Sequence, residues 1–529
     1  MKKKSFVYGA IILGLASIIC KILGAIFRIP LTYLIGTEGV GIYQLVYPIF
    51  ALFLVASTSG IPVAISKIIS KEITNKNYKN TKIIFNQSLK IMTFLGVVFA
   101  LIVVILSKYI SILQGNLNIQ ICYLILAPSI ILGSIISAYR GYYQGFEIMK
   151  YSAISQVIEQ LFKVACGLLF CYLFLPFGLI YGVFGAFVGL FVSEFVAFIY
   201  LFIVYRVKKF NDIDFNQNTD EVYLKGKANK LILKEALPIT LTSIIIPLTS
   251  VIDSLIIIKL LDFIGFNSSL STSLYGLDSG IVASLINLPS VIAVSIGISL
   301  MPSISSSFAL KNSRDVNFKS KLAIKIVWYF TLPCMLIFFI YSKEVCYFLY
   351  GNLGAKNYDA LFVASIMLKL SSFSIIYIAL NQILTTTLQA LNESYFAFYT
   401  LLVASIIKIC LTIILVLNKD INIYGLVISD VVCYAFASVV NMFKLKKITT
   451  ISFSFKEICL VPLCALAFMA ISLILFKLFV LSSLNRVLIL VAIFVSFAIY
   501  LLIVLLLKGF NLREVQNTKL LKFFKRKKY

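Results

Sequence analysis

Glu159, Gln160 and Lys163 stand well inside an apolar stretch, 153–170, that is long enough to cross a membrane. Residues four apart share a helix face, so Glu159 and Lys163 can pair. A lysine at a bilayer centre costs about 2.5–3.5 kcal/mol on insertion scales, and such residues almost always face a bundle interior or a wet cavity. A second lysine, Lys408, sits in similar surroundings in Ser405-Ile-Ile-Lys-Ile-Cys-Leu-Thr412. Lys21, Glu194, Asp253, Lys369 and Asp430 also fall deep in apolar runs. Two chemistries fit this set. Opposite charges on neighbouring helices can neutralise one another, with Glu159–Lys163 the foremost pair, and four deep lysines against four deep carboxylates allow full pairing. Alternatively, the lysines floor a wet cavity that takes an anionic headgroup. Asn381 and Gln382 would then hydrogen-bond its sugar or phosphate. Pairing and binding can coexist. Arg28, seven residues after Lys21 and on nearly the same face, either snorkels to the interface or joins that cavity.

The elements that carry these residues are membrane helices. Hydrophobic residues make up 61% of the 529 and the mean hydropathy is +1.01, which excludes a soluble protein. A window of about 19 residues finds about fourteen spans, from 6–27 and 43–65 to 457–480 and 484–507. Net charge is +26, yet the basic residues cluster between spans and do not form a nucleic-acid patch. Of the 47 Lys and Arg, roughly 34 fall on the side that holds both termini, so both termini are expected in the cytoplasm. The basic loops 67–82 and 206–234 are expected to touch anionic membrane lipids. Lys2-Lys-Lys4 before an apolar run imitates a signal peptide, but the run is too long and has no small-residue cleavage site.

Histidine is absent, and the ten cysteines show neither metal-ligand nor disulfide spacing. There is no phosphate-cradling loop for ATP. No enzyme site and no cofactor is expected. Gly60 and Pro62, near the end of the second span, predict a kink whose freed backbone groups are taken up by Ser and Thr.

The chain repeats itself. Lys90 and Lys108 recur as Lys325 and Lys343, both 235 residues on, and Gln144 and Lys163 recur as Gln389 and Lys408, both 245 residues on. Tyr181-Gly182 opens the sixth span and Tyr424-Gly425 the twelfth. Six helices per block is even, so the halves enter the membrane the same way and are related by an axis along its normal. The expected fold is an all-α polytopic membrane protein of about fourteen transmembrane helices. It has two six-helix lobes related by a pseudo-two-fold along the membrane normal, plus two extra C-terminal helices. The expected domains are an N-lobe at 1–208, a cytoplasmic linker at 209–235, a C-lobe at 236–445, and at 446–529 the last two helices with a basic tail.

Several segments resemble the stage V sporulation protein B group, in the polysaccharide-exporter branch of the multidrug/oligosaccharidyl-lipid/polysaccharide (MOP) superfamily, related to lipid II flippases. They are Lys21-Ile-Leu-Gly-Ala-Ile-Phe-Arg-Ile-Pro-Leu31, Gly39-Val-Gly-Ile-Tyr-Gln44, Gly60-Ile-Pro-Val-Ala-Ile-Ser-Lys67, Tyr139-Arg-Gly-Tyr-Tyr-Gln-Gly145, Ala153-Ile-Ser-Gln-Val-Ile-Glu-Gln160 and Leu288-Pro-Ser-Val-Ile292. The resemblance implies a cationic cavity between two lobes, alternating access, and export of an undecaprenyl-diphosphate-linked saccharide across the cell membrane. It maps family cations to Lys21 and Arg28, and implies a lipid-tail groove at the last two helices. Lys163 stands where relatives commonly carry arginine, and lysine lacks arginine's bidentate geometry. The eighth span, 280–308, has no cation where lipid II flippases place arginine, and Asn287 is the nearest polar substitute. The helix-seven carboxylate that binds a coupling cation in related transporters corresponds to Asp253, with Na+ or H+ as the ion. Glu159, Glu194 and Asp430 would pair with or couple to the cations.

Three readings follow. A flippase for a peptidoglycan precursor or polysaccharide unit explains the lysines. A cation-coupled multidrug exporter of the same superfamily would present acidic and aromatic residues in their place. A non-transporting scaffold for cell-wall synthesis would need no intramembrane lysines.

Overall fold

In the computed structural model, the residues described are 6–74, 77–207, 225–351, 354–355, 358–479 and 486–509. Lys2–Lys4, most of the expected linker (209–224) and the basic tail (510–529) lie outside them. Where no water is available, the backbone must satisfy its own hydrogen bonds, and runs rich in Ile, Leu, Phe and Val do so as helices. The order is α1 (Phe6–Thr58), α2 (Gly60–Thr74), α3 (Tyr78–Leu113), α4 (Gln120–Gly145), α5 (Met149–Phe174), α6 (Leu179–Val207), α7 (Lys225–Phe263), α8 (Ser268–Tyr275), α9 (Ala283–Ala309), α10 (Ser313–Ile340), α11 (Ser342–Tyr350), α12 (Ala360–Ala390), α13 (Ser394–Val416), α14 (Tyr424–Ile448), α15 (Val461–Phe479) and α16 (Arg486–Leu506). A π-helical turn, Gly276–Val282, joins α8 to α9. A two-residue antiparallel pairing, Gly354–Ala355 with Tyr358–Asp359, precedes α12.

Thirteen helical segments among the described residues are long and apolar enough to cross a membrane. The first, Ile12–Ile73, has 62 residues. A straight helix of that length would reach about 93 Å, against a hydrocarbon core of about 30 Å. It is not straight. At Gly36 the backbone takes φ 65 and ψ −175, a conformation glycine adopts without a Cβ penalty. The rings of Phe27 and Tyr43 lie 6.4 Å apart, whereas sixteen residues of straight helix would separate them by about 24 Å. The chain therefore folds back at Gly36, and this segment makes two passes. That brings the count to the fourteen read from hydropathy. A second break falls at Ser59, between α1 and α2, beside the expected kink at Gly60 and Pro62. The hydroxyls of Ser57 and Thr58 both donate to the Leu54 carbonyl there, at 2.8 and 2.7 Å.

By packing, the chain divides into two compact units. The first is Met1–Ser284 with Phe398–Ser429, and the second is Leu285–Ala397 with Asp430–Tyr529. In the first unit a core of Ile65, Ile69, Phe85, Tyr142 and Tyr143 ties α2, α3 and α4 together. Small residues let membrane helices approach closely, and α6 uses them against α5. A Cβ at Gly185 would collide with the Phe170 carbonyl, and one at Gly189 with the backbone of Gly167. In the second unit, α10 anchors the last two helices. Trp328 Nε1 donates to the Ile458 carbonyl at 3.0 Å, Tyr341 donates to Leu473 O at 2.8 Å, and Tyr500 donates to Tyr329 O at 2.9 Å. None of the ten cysteines forms a disulfide among the described residues.

The α5–α6 contact can be tested with one methyl group. Gly189→Ala should destabilise the protein by about 1–3 kcal/mol, because backbone rather than a flexible side-chain end must yield. Gly24→Ala, which meets nothing within 4 Å, should leave stability unchanged or raise it slightly. Thermal unfolding of the two variants in detergent should separate them.

Candidate functional site

The short connection after α4 makes α4 and α5 antiparallel neighbours, so Arg140 lies level with the first turns of α5. Its planar fork reaches two groups one helical turn apart. Nε donates to Ser155 Oγ at 2.9 Å, and Nη2 donates to Glu159 Oε2 at 2.8 Å. The expected Glu159–Lys163 pair is therefore absent, and Glu159 is neutralised by Arg140. The reason is geometric. The guanidinium spans both acceptors along one face of α5 and leaves Lys163, one turn further on, without a counter-ion among the described residues.

Lys163 rests on aromatic rings instead. Its Nζ lies 5.3 Å from the ring centroid of Tyr47 and 5.8 Å from that of Phe27. These rings come from the two arms of α1, one before Gly36 and one after it. Tyr43 stacks on Tyr47 at 5.7 Å and on Phe187 of α6 at 4.6 Å, which braces the box from behind. Gly167, one turn past Lys163, lets Phe27 approach, since a Cβ there would lie 2.9 Å from the ring. A cation over an aromatic face gains about 0.5–2 kcal/mol but keeps its full charge. Lys163 is half-buried and still able to attract an anion.

The other expected residues fall into different settings. Lys408, on α13, is buried and bonds Asp253 of α7, Nζ to Oδ2 at 2.6 Å. Arg28 donates from Nη1 to the carbonyls of Gly280 at 2.7 Å and Ser279 at 3.3 Å. Gln44 Nε2 also donates to the Ser279 carbonyl. The π-helical turn ahead of the cation-free eighth span thus receives a cation from α1. Lys21 is exposed on the first arm of α1 and forms no ion pair among the described residues. Glu194 of α6 is buried, 5% exposed, and its Oε2 has no hydrogen-bond partner among the described residues.

In the second unit, Lys369 lies on an exposed stripe of α12 with Phe362 and Phe373, its ammonium 5.0 Å from the Phe339 ring. Asn381 Oδ1 accepts from Asn441 Nδ2 of α14 at 2.9 Å, while Gln382 beside it is exposed. Asp430 is half-buried on α14. Within the first unit, Lys163 rests on Phe27, the neighbour of Arg28 on α1, while Arg28 itself reaches the π-helical turn. Lys408 is bound up with Asp253, and Lys369 has no contact with Asn381. Sequence reading missed Arg140, Phe27, Tyr47 and Gln44 as site residues. Tyr43 and Tyr47, four apart and so on one helix face, were the available signal.

The Asp253–Lys408 pair should behave as a unit. Breaking one side of a buried pair costs about 3–5 kcal/mol, because the remaining charge is left uncompensated. Asp253→Asn should lose that much, and Asp253→Asn with Lys408→Met should recover most of it. A double-mutant cycle by chemical or thermal unfolding checks this.

The geometry can be set beside known proteins. The family model described as polysaccharide biosynthesis protein matches residues 6–308. Stage V sporulation protein B of Bacillus subtilis (strain 168) is 26% identical over 462 residues, 87% of each chain. Lipid II flippase MurJ of the same organism is 24% identical over 428 residues, 77% of each chain. The solved lipid II flippase MurJ, in an inward closed conformation, superposes with a TM-score of 0.69 at 17% identity, covering 94% of this chain and 99% of that one. Two of these relatives are lipid II flippases by name rather than enzymes, and the solved one has the polytopic helical fold described above. With that family model covering more than half of its length, the chain belongs to the polysaccharide biosynthesis protein family.

Proposed function

We propose that this protein is a flippase that carries an undecaprenyl-diphosphate-linked saccharide across the cytoplasmic membrane, with Lys163 as the anchor for the diphosphate. The observation that carries the reading is a cation held inside a membrane unit by aromatic faces rather than by a carboxylate. Such a charge is held in place yet not neutralised, so an anion can take the place of the missing counter-ion. A cationic drug would be repelled there, and a scaffold would have no need for the charge. The likeness to stage V sporulation protein B and to lipid II flippase MurJ supports the same class of cargo. The excess of basic residues on one side supports cytoplasmic termini in contact with anionic lipid.

Asp253 was the expected seat of a coupling cation, but the Lys408 ammonium already occupies it at 2.6 Å. In this reading, transport draws on the membrane potential rather than on a cation at Asp253. An inside-negative potential drives anions outward at about 2.3 kcal/mol per charge per 100 mV.

Two measurements test this. In proteoliposomes offered lipid II and a second undecaprenyl-diphosphate saccharide, Lys163→Ala should lower flipping of the transported cargo at least about tenfold. Lys163→Arg should retain it, since arginine grips a diphosphate with two donors. Undiminished flipping of both lipids by Lys163→Ala would falsify the anchor. Collapsing a sodium gradient at fixed potential should leave the rate unchanged, and a matching loss of rate would return Asp253 to the role of a coupling site.

A further inference from the structure

Glu194 belongs to none of the pairs described above. It lies in the middle of α6, 5% exposed, and Oε2 meets no donor among the described residues. Its surroundings come from three helices. From α4, Gly133 lies against it, with an added Cβ 3.7 Å from Glu194 Oε1. Arg140, seven residues after Gly133 on the same face, is turned away to Glu159. From α5, the charges that act on Glu194 are Glu159 and Lys163. From α1, the side chain at this level is Leu54, whose Cδ1 is 2.5 Å from that same added Cβ. Of the two cations within electrostatic reach, Arg140 is committed to a carboxylate, and Lys163 rests on aromatic rings without bonding Glu194. The wall beside the carboxyl is a glycine and a leucine.

We infer that Glu194 is a proton-binding site of the first unit. A buried carboxyl with no donor and no committed counter-ion neutralises itself by taking a proton. A metal cation would need several oxygen ligands around it. Among the described residues no group of three or more Cys, Asp or Glu gathers to hold one. The site also has an exchange partner. If Arg140 turned from Glu159 to Glu194, the proton would leave Glu194 as Glu159 lost its counter-ion, so that occupancy by the proton follows the position of one guanidinium. Glu159 sits one turn from Lys163, so the exchange would alter the field at the diphosphate anchor. That last link rests on the proposed flippase reading, but the proton site itself does not.

Infrared spectroscopy of the purified full chain in nanodiscs tests it. At neutral pH the wild type should show a protonated-carboxyl C=O stretch that Glu194→Gln removes, and that titrates away at higher pH with single-proton steepness, about tenfold in occupancy per pH unit on its flank. Gly133→Ser places a hydroxyl within reach of the carboxyl and should shift the band without removing it, which keeps the test open if Glu194→Gln fails to fold. Identical spectra for wild type and both variants would overturn the inference. So would a band that responds to sodium at constant pH and not to pH. In the proteoliposome assay, Glu194→Gln should lose the pH dependence of flipping. A wild type that shows the band but flips no lipid would remove the flippase reading and leave the proton site standing.

Discussion

An ammonium placed in hydrocarbon must find something to face, and the first unit of this protein gives Lys163 two rings and no carboxylate. Much of the local architecture follows from that choice. The rings of Phe27 and Tyr47 belong to one continuous helix and can meet a single ammonium only because the chain reverses at Gly36. The approach of α5 to Phe27 needs the missing side chain at Gly167, and the packing of α6 behind α5 needs Gly185 and Gly189. Arg140 completes the arrangement by removing the nearest acid, Glu159, from competition. The outcome is a cation whose position is fixed by packing and whose charge is left to act at a distance.

The two lysines that match across the repeat have diverged in chemistry. Lys163 is half-buried against π faces, whereas Lys408 is buried against Asp253 with both side chains 9% exposed. The first arrangement leaves net charge inside the membrane unit, and the second leaves none. Both lie in the same compact unit. A repeat in sequence thus guarantees similar helices without guaranteeing that equivalent side chains keep equivalent partners.

The fold was legible because hydrophobic runs of membrane length have few alternatives to helix. The break at Ser59 was legible because Gly60 and Pro62 announce it. The fold-back at Gly36 was readable as a link between two spans, but not as a turn made by a single residue. Partner choice was much less legible. Glu159 and Lys163 satisfy the spacing rule for a pair, yet a guanidinium from the preceding helix, nineteen residues away in sequence, takes the acid. Arg28 finds its acceptors 252 residues downstream, at a π-helical turn that no composition rule marks. Local spacing says which groups can meet. It does not say which of several reachable groups meets first, because that depends on helices that are neighbours only after folding.

The buried pair of Lys408 and Asp253 carries a consequence for the history of the chain. Either residue changed alone strands the other as a lone charge in hydrocarbon, so the route through single substitutions is closed on both sides. Descendants can keep the pair, or lose both members in near-simultaneous steps, but they cannot drift at one position. Lys163, held by rings, is under no such bond to a partner. Exchange for arginine at that position needs no second change, and one lineage can move between the two cations freely while the other half of the repeat stays locked.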